Sequence, residues 1–322
     1  MPFFAVNPAT GETIATYPET PASEVERLVE RAHEAHVGWR DQPVSVRTVR
    51  LTMLGSLLRE RAHDFAQLMT AEMGKPLKQA VGEAEKCAAV CDYYAEHAER
   101  FLAPVSAPTD ASVSYWVPRP LGVVLGIMPW NFPFWQVIRF AVPTLTAGNA
   151  VLLKHAPCVP GCAEALETLF RDAGYPEGLF ANLFVDVEAT ADVIDHDLVR
   201  AVSLTGSVRA GRAVAARAGA AIKKCVLELG GSDPSLVLAD ADLDAAVASC
   251  ALGRLLNAGQ SCVAAKRFVV VDVVRSVFEQ KLTARLEAVA MGDPLDPDTE
   301  LGPLARIDLR DTLHDQVHRS VA

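Results

Sequence analysis

No cluster of lysine and arginine occurs in the 322 residues, and acidic residues outnumber basic ones by 40 to 30. The electrostatic footprint of a nucleic-acid binder is therefore missing, and a net charge of −10 favours solubility without specifying a fold. No Cys-x-x-Cys and no His/Cys group at zinc spacing is present, so no metal site is expected. The seven cysteines (87, 91, 158, 162, 225, 250 and 262) are odd in number, which fits free thiols in a reducing cytoplasm better than a disulfide framework. The opening Met1-Pro2-Phe3-Phe4 lacks the basic and apolar regions of a signal peptide. Internal repeats and low-complexity tracts are absent too. The uncharged run 121–138 is long enough for a membrane helix, but Pro129, Asn131 and Pro133 interrupt its centre and Arg139 follows at once. No membrane partner is expected.

Half of the residues are hydrophobic, which supports a sizeable core and about two domains. After a turn-rich opening at Asn7-Pro8-Ala9-Thr10-Gly11, Thr20-Pro21 predicts a helix start, with a capping hydroxyl and proline in the first turn. Val25, Leu28, Val29 and Ala32 recur at helical spacing. The stretch 21–102 reads as successive amphipathic helices, interrupted at Gly74-Lys75-Pro76. Cys87/Cys91 and Cys158/Cys162, each pair four apart, read as core-packed helical faces. The alternation from Ala111 to Val117 predicts an exposed edge strand.

From residue 121 short apolar runs alternate with helices. Strands are predicted at 121–127, 149–154, 180–185, 200–204, 223–228 and 235–238, and helices near 134–147, 160–173 and 207–218. That pattern argues for a parallel sheet covered on both faces, the doubly wound α/β class. A helix over 240–256 leads to the Cys262 loop, then come a strand at 266–272, a helix at 274–290, a turn-rich linker and a short charged helix. Ligands of such sheets sit at the carboxyl ends of strands. Trp130, Lys154, Thr205-Gly206-Ser207 and Glu228 all fall at or just past such an end.

Three short segments carry chemistry. Cys262, in Asn257-Ala258-Gly259-Gln260-Ser261-Cys262, is a thiol beside small residues, suited to covalent capture of a carbonyl carbon. Glu228, in Leu227-Glu228-Leu229-Gly230-Gly231, is a candidate general base; burial would raise its pKa toward neutrality. Asn131, between Trp130 and Pro133, offers an amide to an oxyanion, together with the Cys262 N–H. Thr205 to Gly211 opens a helix after a strand, and its N–H groups suit a pyrophosphate. It is neither GxGxxG nor a P-loop, and an ordinary helix cap has the same sequence appearance. Lys154 can reach ribose hydroxyls or a 2′-phosphate; a solvated lysine reads equally well.

Taken in order, Pro-Trp-Asn-Phe-Pro, Leu-Glu-Leu-Gly-Gly and Gly-Gln-Ser-Cys resemble the aldehyde dehydrogenase superfamily, from residue 7 to residue 304. Within it the chain is most similar to bacterial succinate-semialdehyde dehydrogenases, at 152–157, 205–211, 223–234 and 264–268. The resemblance implies NAD or NADP as cofactor, Cys262 as nucleophile, Glu228 as base and Asn131 in the oxyanion hole. It places Trp130, Lys154, His155, Pro157, Gly206, Ser207 and Leu229 along the cofactor. It also implies a cofactor-binding domain over 1–228, with an oligomerisation strand at 109–119, and the first part of a catalytic domain over 229–322. Arg139, eight residues after Asn131, stands where succinate-semialdehyde enzymes place an arginine for the substrate carboxylate. Their second arginine is replaced here by Leu256, so a two-arginine clamp is not expected. Pro157 stands where NAD-preferring relatives carry a glutamate, which leaves both cofactors open.

The family pattern also runs on past Ala322, so the expectation is a C-terminally shortened chain with an uncovered strand edge. Homo-oligomers are expected of the intact family. The alternatives are a cofactor-binding remnant without turnover and a cofactor-free cysteine hydrolase, for which no histidine partner stands near Cys262.

Overall fold

The computed structural model describes residues 1–321. The turn-rich opening is the bend of a hairpin: β1 (Phe3–Val6) pairs antiparallel with β2 (Thr13–Tyr17), and neither strand was expected. Each is short and without clean alternation. The bend closes through Gly11 N–H donating to Asn7 O at 2.7 Å, with Gly11 at φ +77°.

Four helices follow: α1 (Ala22–Arg40), α2 (Val44–Glu60), α3 (Ala62–Met73) and α4 (Leu77–Leu102). Pro21 caps α1 without a side-chain bond. The Thr20 hydroxyl expected in that role instead accepts the N–H of Phe184, 164 residues away. Between α3 and α4, Gly74 adopts φ +80°, and a Cβ there would meet Pro303 and Pro8 at 2.8 and 2.9 Å. Hence the Gly-Lys-Pro interruption is a left-handed stop where three segments crowd. Cys87 and Cys91 are fully buried, as a core-packed face requires. Cys158 precedes its helix instead of sharing a face with Cys162, because Pro160 starts that helix.

Residues 111–117 form less sheet than their alternation suggests. Only β3 (Val105–Ser106) and β4 (Tyr115–Trp116) pair, and Tyr115 and Trp116 stay exposed. The central sheet comprises β5 (Val123–Ile127), β6 (Ala150–Lys154), β7 (Phe180–Asn182), β8 (Val199–Gly206) and β9 (Lys224–Leu229), all parallel, in the order β7-β6-β5-β8-β9. Its crossovers are α5 (Trp135–Thr146), α6 (Pro160–Asp172), α7 (Val187–Asp195) and α8 (Val208–Ala220). Of these, α7 was not foreseen. The doubly wound α/β expectation holds, and the order reverses between β5 and β8, the switch point where such sheets bind ligands.

The residues of β5 and β6 are buried along nearly their whole length, so their apolar runs lie under helices on both faces. Close packing is demanded at Gly126, where a Cβ would fall 2.3 Å from the Phe140 ring on α5.

The predicted strand 235–238 does not join this sheet. β10 (Pro234–Val237) pairs parallel with β11 (Arg267–Val270) in a separate two-stranded sheet, with α9 (Leu243–Leu255) and α10 (Asp272–Glu287) packed on it. Alternation places a strand in a parallel sheet without saying which one. A small core of Val237, Val247, Cys250, Ala251, Phe278 and Leu282 holds this unit, and α11 (Ile307–Val321) buries no residue. No helix of the described residues is long and apolar enough to cross a membrane.

Candidate active site

The strand register lines the candidate residues along one edge. Ile127 ends β5 beside Lys154 on β6 and Leu204 on β8, while Thr205 and Gly206 stand beside Glu228 and Leu229 on β9. All these positions are carboxyl ends of parallel strands, so the segments that follow emerge side by side.

The first of them carries Asn131, and it is held from below. Glu83 on α4 is buried and accepts the N–H groups of Phe134 and Trp135 at 2.9 Å each, capping the start of α5. Buried Lys75 pairs with Glu83, and its ammonium lies 4.3 Å from the centre of the Phe132 ring. From the side, His155 Nε2 donates to Pro133 O at 2.9 Å, while its Nδ1 accepts the Ala156 N–H. Burial pushes the His155 pKa down to about 4. With both ring nitrogens engaged, His155 has none left for a cofactor; it positions the loop.

The Cys262 loop closes over Asn131. Past α9 the chain turns left-handed through Asn257 (φ 57°), Ala258 (φ 54°) and Gly259 (φ 72°). An alanine in that region costs on the order of 1–2 kcal/mol, so other contacts must hold the turn. Arg254 Nη2 donates to Gly259 O at 2.9 Å, and Gln79 on α4 accepts the Asn257 N–H at 2.8 Å. Buried Asn257 donates to Asn131 O at 2.7 Å, and Asn131 Nδ2 donates to Gln260 O at 2.8 Å. One amide hydrogen of Asn131 is thereby used and the other is left. The Cys262 N–H meets no acceptor among the described residues. Two donors of the kind an oxyanion needs thus belong to adjoining loops.

Glu228 is placed differently from expectation. Its side chain is 54 % exposed, and Arg139 Nη2 lies 3.4 Å from its Oε2. The expected burial is absent because β9 is the outer strand of the sheet, with Val226 and Leu227 exposed beside it. Three residues on, Gly231 lies against the Cys262 loop: a Cβ there would be 3.8 Å from Cys262 O. Lys266 secures that junction, donating to Cys262 O at 3.1 Å and to Gly231 O, and Arg267 donates to Ser232 O at 2.8 Å.

On the other side of the edge, Ser207 Oγ caps α8 by accepting the Ala210 N–H at 3.2 Å. A Cβ on Gly211 would strike Leu229 at 2.8 Å, so this glycine lets α8 lie close on β9. Lys154 is largely buried, and burial lowers its pKa despite the raising effects of Cys158 and Asp186. Together with Pro157, Asp186 and Arg306 it lines a cleft of about 1130 Å³. Trp130 packs part-buried against the main core.

Sequence reasoning missed the supports: Glu83, Lys75, Gln79, Arg254 and Lys266. Lys75 stood inside a tripeptide read only as a break, and a charge between two helix breakers gives no hint that it will be buried.

Residues 2–322 match the aldehyde dehydrogenase family. The chain belongs to that family, and its fold is of that class. It is 46 % identical over 318 residues to the succinate semialdehyde dehydrogenase [NAD(P)+] Sad of Escherichia coli, covering 99 % of this chain and 69 % of that protein. It is 47 % identical over 320 residues to the succinate-semialdehyde dehydrogenase [NADP(+)] of Deinococcus radiodurans, covering 99 % and 67 %. Among solved structures, that of Gox0499 superposes with a TM-score of 0.98 at 40 % identity, covering 100 % of this chain and 71 % of that one. The NADP+ complex of succinic semialdehyde dehydrogenase from Streptococcus pyogenes gives 0.96 at 36 % identity, with coverage of 98 % and 70 %.

Proposed function

We propose that this chain oxidises a small carboxylate-bearing aldehyde, succinate semialdehyde above all, to the acid through a Cys262 thioester, with NAD or NADP as cofactor. The observation that carries it is the pair of hydrogen bonds joining the Asn131 and Gln260 segments, which sets an amide donor beside the nucleophile's own loop. The names of the relatives supply the substrate and both cofactors.

The residues present fit a dinucleotide. The start of α8 offers unpaired first-turn N–H groups to a pyrophosphate, and Gly211 lets that helix lie close on the sheet. Lys154, largely buried at the carboxyl end of β6, suits ribose oxygens or a 2′-phosphate. Trp130, Gly206, Ser207 and Leu229 complete the wall, with Pro157 beside Lys154. When bound, such a cofactor supplies the hydride acceptor. The chain's own part is attack by the Cys262 thiolate on the aldehyde carbon, with the oxygen held by Asn131 Nδ2 and the Cys262 N–H. Water then attacks the thioester, giving its proton to Glu228. Residues 1–228 form the cofactor-binding unit and 229–322 contribute the nucleophile. Self-association through the exposed 109–119 segment belongs to the same proposal.

The test is reduced-cofactor formation by the 322-residue protein with succinate semialdehyde and, in parallel, NAD or NADP. Turnover lost in Cys262→Ala upholds the proposal. A folded protein that binds cofactor without turnover establishes the second reading, a cofactor-binding chain, which the exposure of Glu228 favours.

A further inference from the structure

The guanidinium expected to take the substrate carboxylate also faces the residue proposed to activate the water. Arg139 Nη2 donates to Thr205 Oγ1 at 3.3 Å and faces Glu228 Oε2 at 3.4 Å. Thr205 and Glu228 are register partners on β8 and β9, and Arg139 reaches them from α5. All three line one shallow cleft of about 390 Å³ with Phe140 and Val226. Among the described residues, Glu228 has no other side-chain partner.

We propose that Arg139 is a carboxylate latch: it holds Glu228 in the free protein and lets it go when the carboxylate of an incoming aldehyde takes the guanidinium. The inference rests on the thioester reading above. A guanidinium binds a carboxylate best through two parallel N–H bonds, whereas Glu228 has one long contact made in solvent. A fresh carboxylate therefore displaces it readily. Half-exposed pairs of this kind are weak, which suits a contact that must open in every cycle. Once freed, Glu228 takes the proton of a water whose oxygen attacks the thioester carbonyl. The C–S bond breaks, its electron pair returns to Cys262 as thiolate, and the acid leaves. The substrate carboxylate then contributes to rate as well as to binding.

The test uses p-nitrophenyl acetate, a neutral ester that needs no cofactor. Its acetyl group passes to Cys262 and p-nitrophenolate leaves in a burst; the steady phase reports thioester hydrolysis. We expect the steady rate per burst equivalent to rise about two- to fivefold in Arg139→Met, as loss of a weak pair allows. Succinate added to the unaltered protein should raise it saturably by a similar factor and have no effect on Arg139→Met. A burst followed by a steady phase that neither Arg139→Met nor succinate accelerates overturns the latch and leaves Cys262 as nucleophile. A wild-type protein with no burst overturns both. If Arg139→Met does not fold, the succinate titration of the unaltered protein decides alone.

Discussion

The two ends of the candidate site are built in opposite ways. Around Asn131 every neighbour is fixed: Glu83 and Lys75 lie beneath, His155 stands at the side, and Asn257 and Gln260 close from above. Around Glu228 there is an edge strand with one side-chain contact, and that contact is to a residue with another proposed task. An oxyanion donor works by being in place before charge develops, so rigidity serves it. A base that must first stay clear of the thiol and later approach a water is served by a contact that breaks. The contrast separates a preorganised end from a movable one.

Removing the buried support should break the contrast most strongly. Glu83→Ala leaves Lys75 charged and unpaired in the core and uncaps α5, and we expect a loss of about 3–5 kcal/mol in urea unfolding. The double variant Lys75→Met/Glu83→Gln should recover part of it. A loss below ~1 kcal/mol for Glu83→Ala would mean that the Asn131 end is no stiffer than the other.

A smaller effect comes from acid. The folded pKa of His155, about 4, lies below the ordinary 6.5 because of burial. In that window the unfolded chain binds a proton that the folded chain refuses, so stability falls as pH drops from 6.5 toward 4, by about 3 kcal/mol in full. Glu72, raised by burial, acts in the opposite sense. The measurement is therefore the stability difference between the unaltered protein and His155→Gln at successive pH values. It should shrink with acid, and a constant difference would remove His155 from the support.

At the open end, Glu228→Gln should change stability by less than ~1 kcal/mol, as exposed pairs do, while slowing thioester hydrolysis about 10²-fold or more. A stability loss comparable with that of Glu83→Ala would show the two ends to be alike. The smallest effect is expected at Leu236→Gln and Leu252→Gln, whose side chains are exposed. Each should stay within about 0.5 kcal/mol; a larger loss would show that this face is covered in solution.

By itself the sequence determined the parallel α/β sheet, because the runs 123–127 and 150–153 carry no polar side chain and are separated by a helix-length segment. It also placed Trp130, Lys154, Ser207 and Glu228 at strand ends, since a strand's end is a local property of the chain. Which sheet β10 joins, and that Thr20 serves Phe184 instead of its own helix, were decided by partners far away in the chain. Burial was decided the same way. Lys75 and Glu83 are charged residues that the fold encloses, whereas Val226 and Leu227 are apolar residues that it leaves open. Whether a side chain meets water depends on what packs over it, and that is fixed only when distant segments come together. For the same reason, only the tertiary structure could set Arg139 between two carboxylate roles.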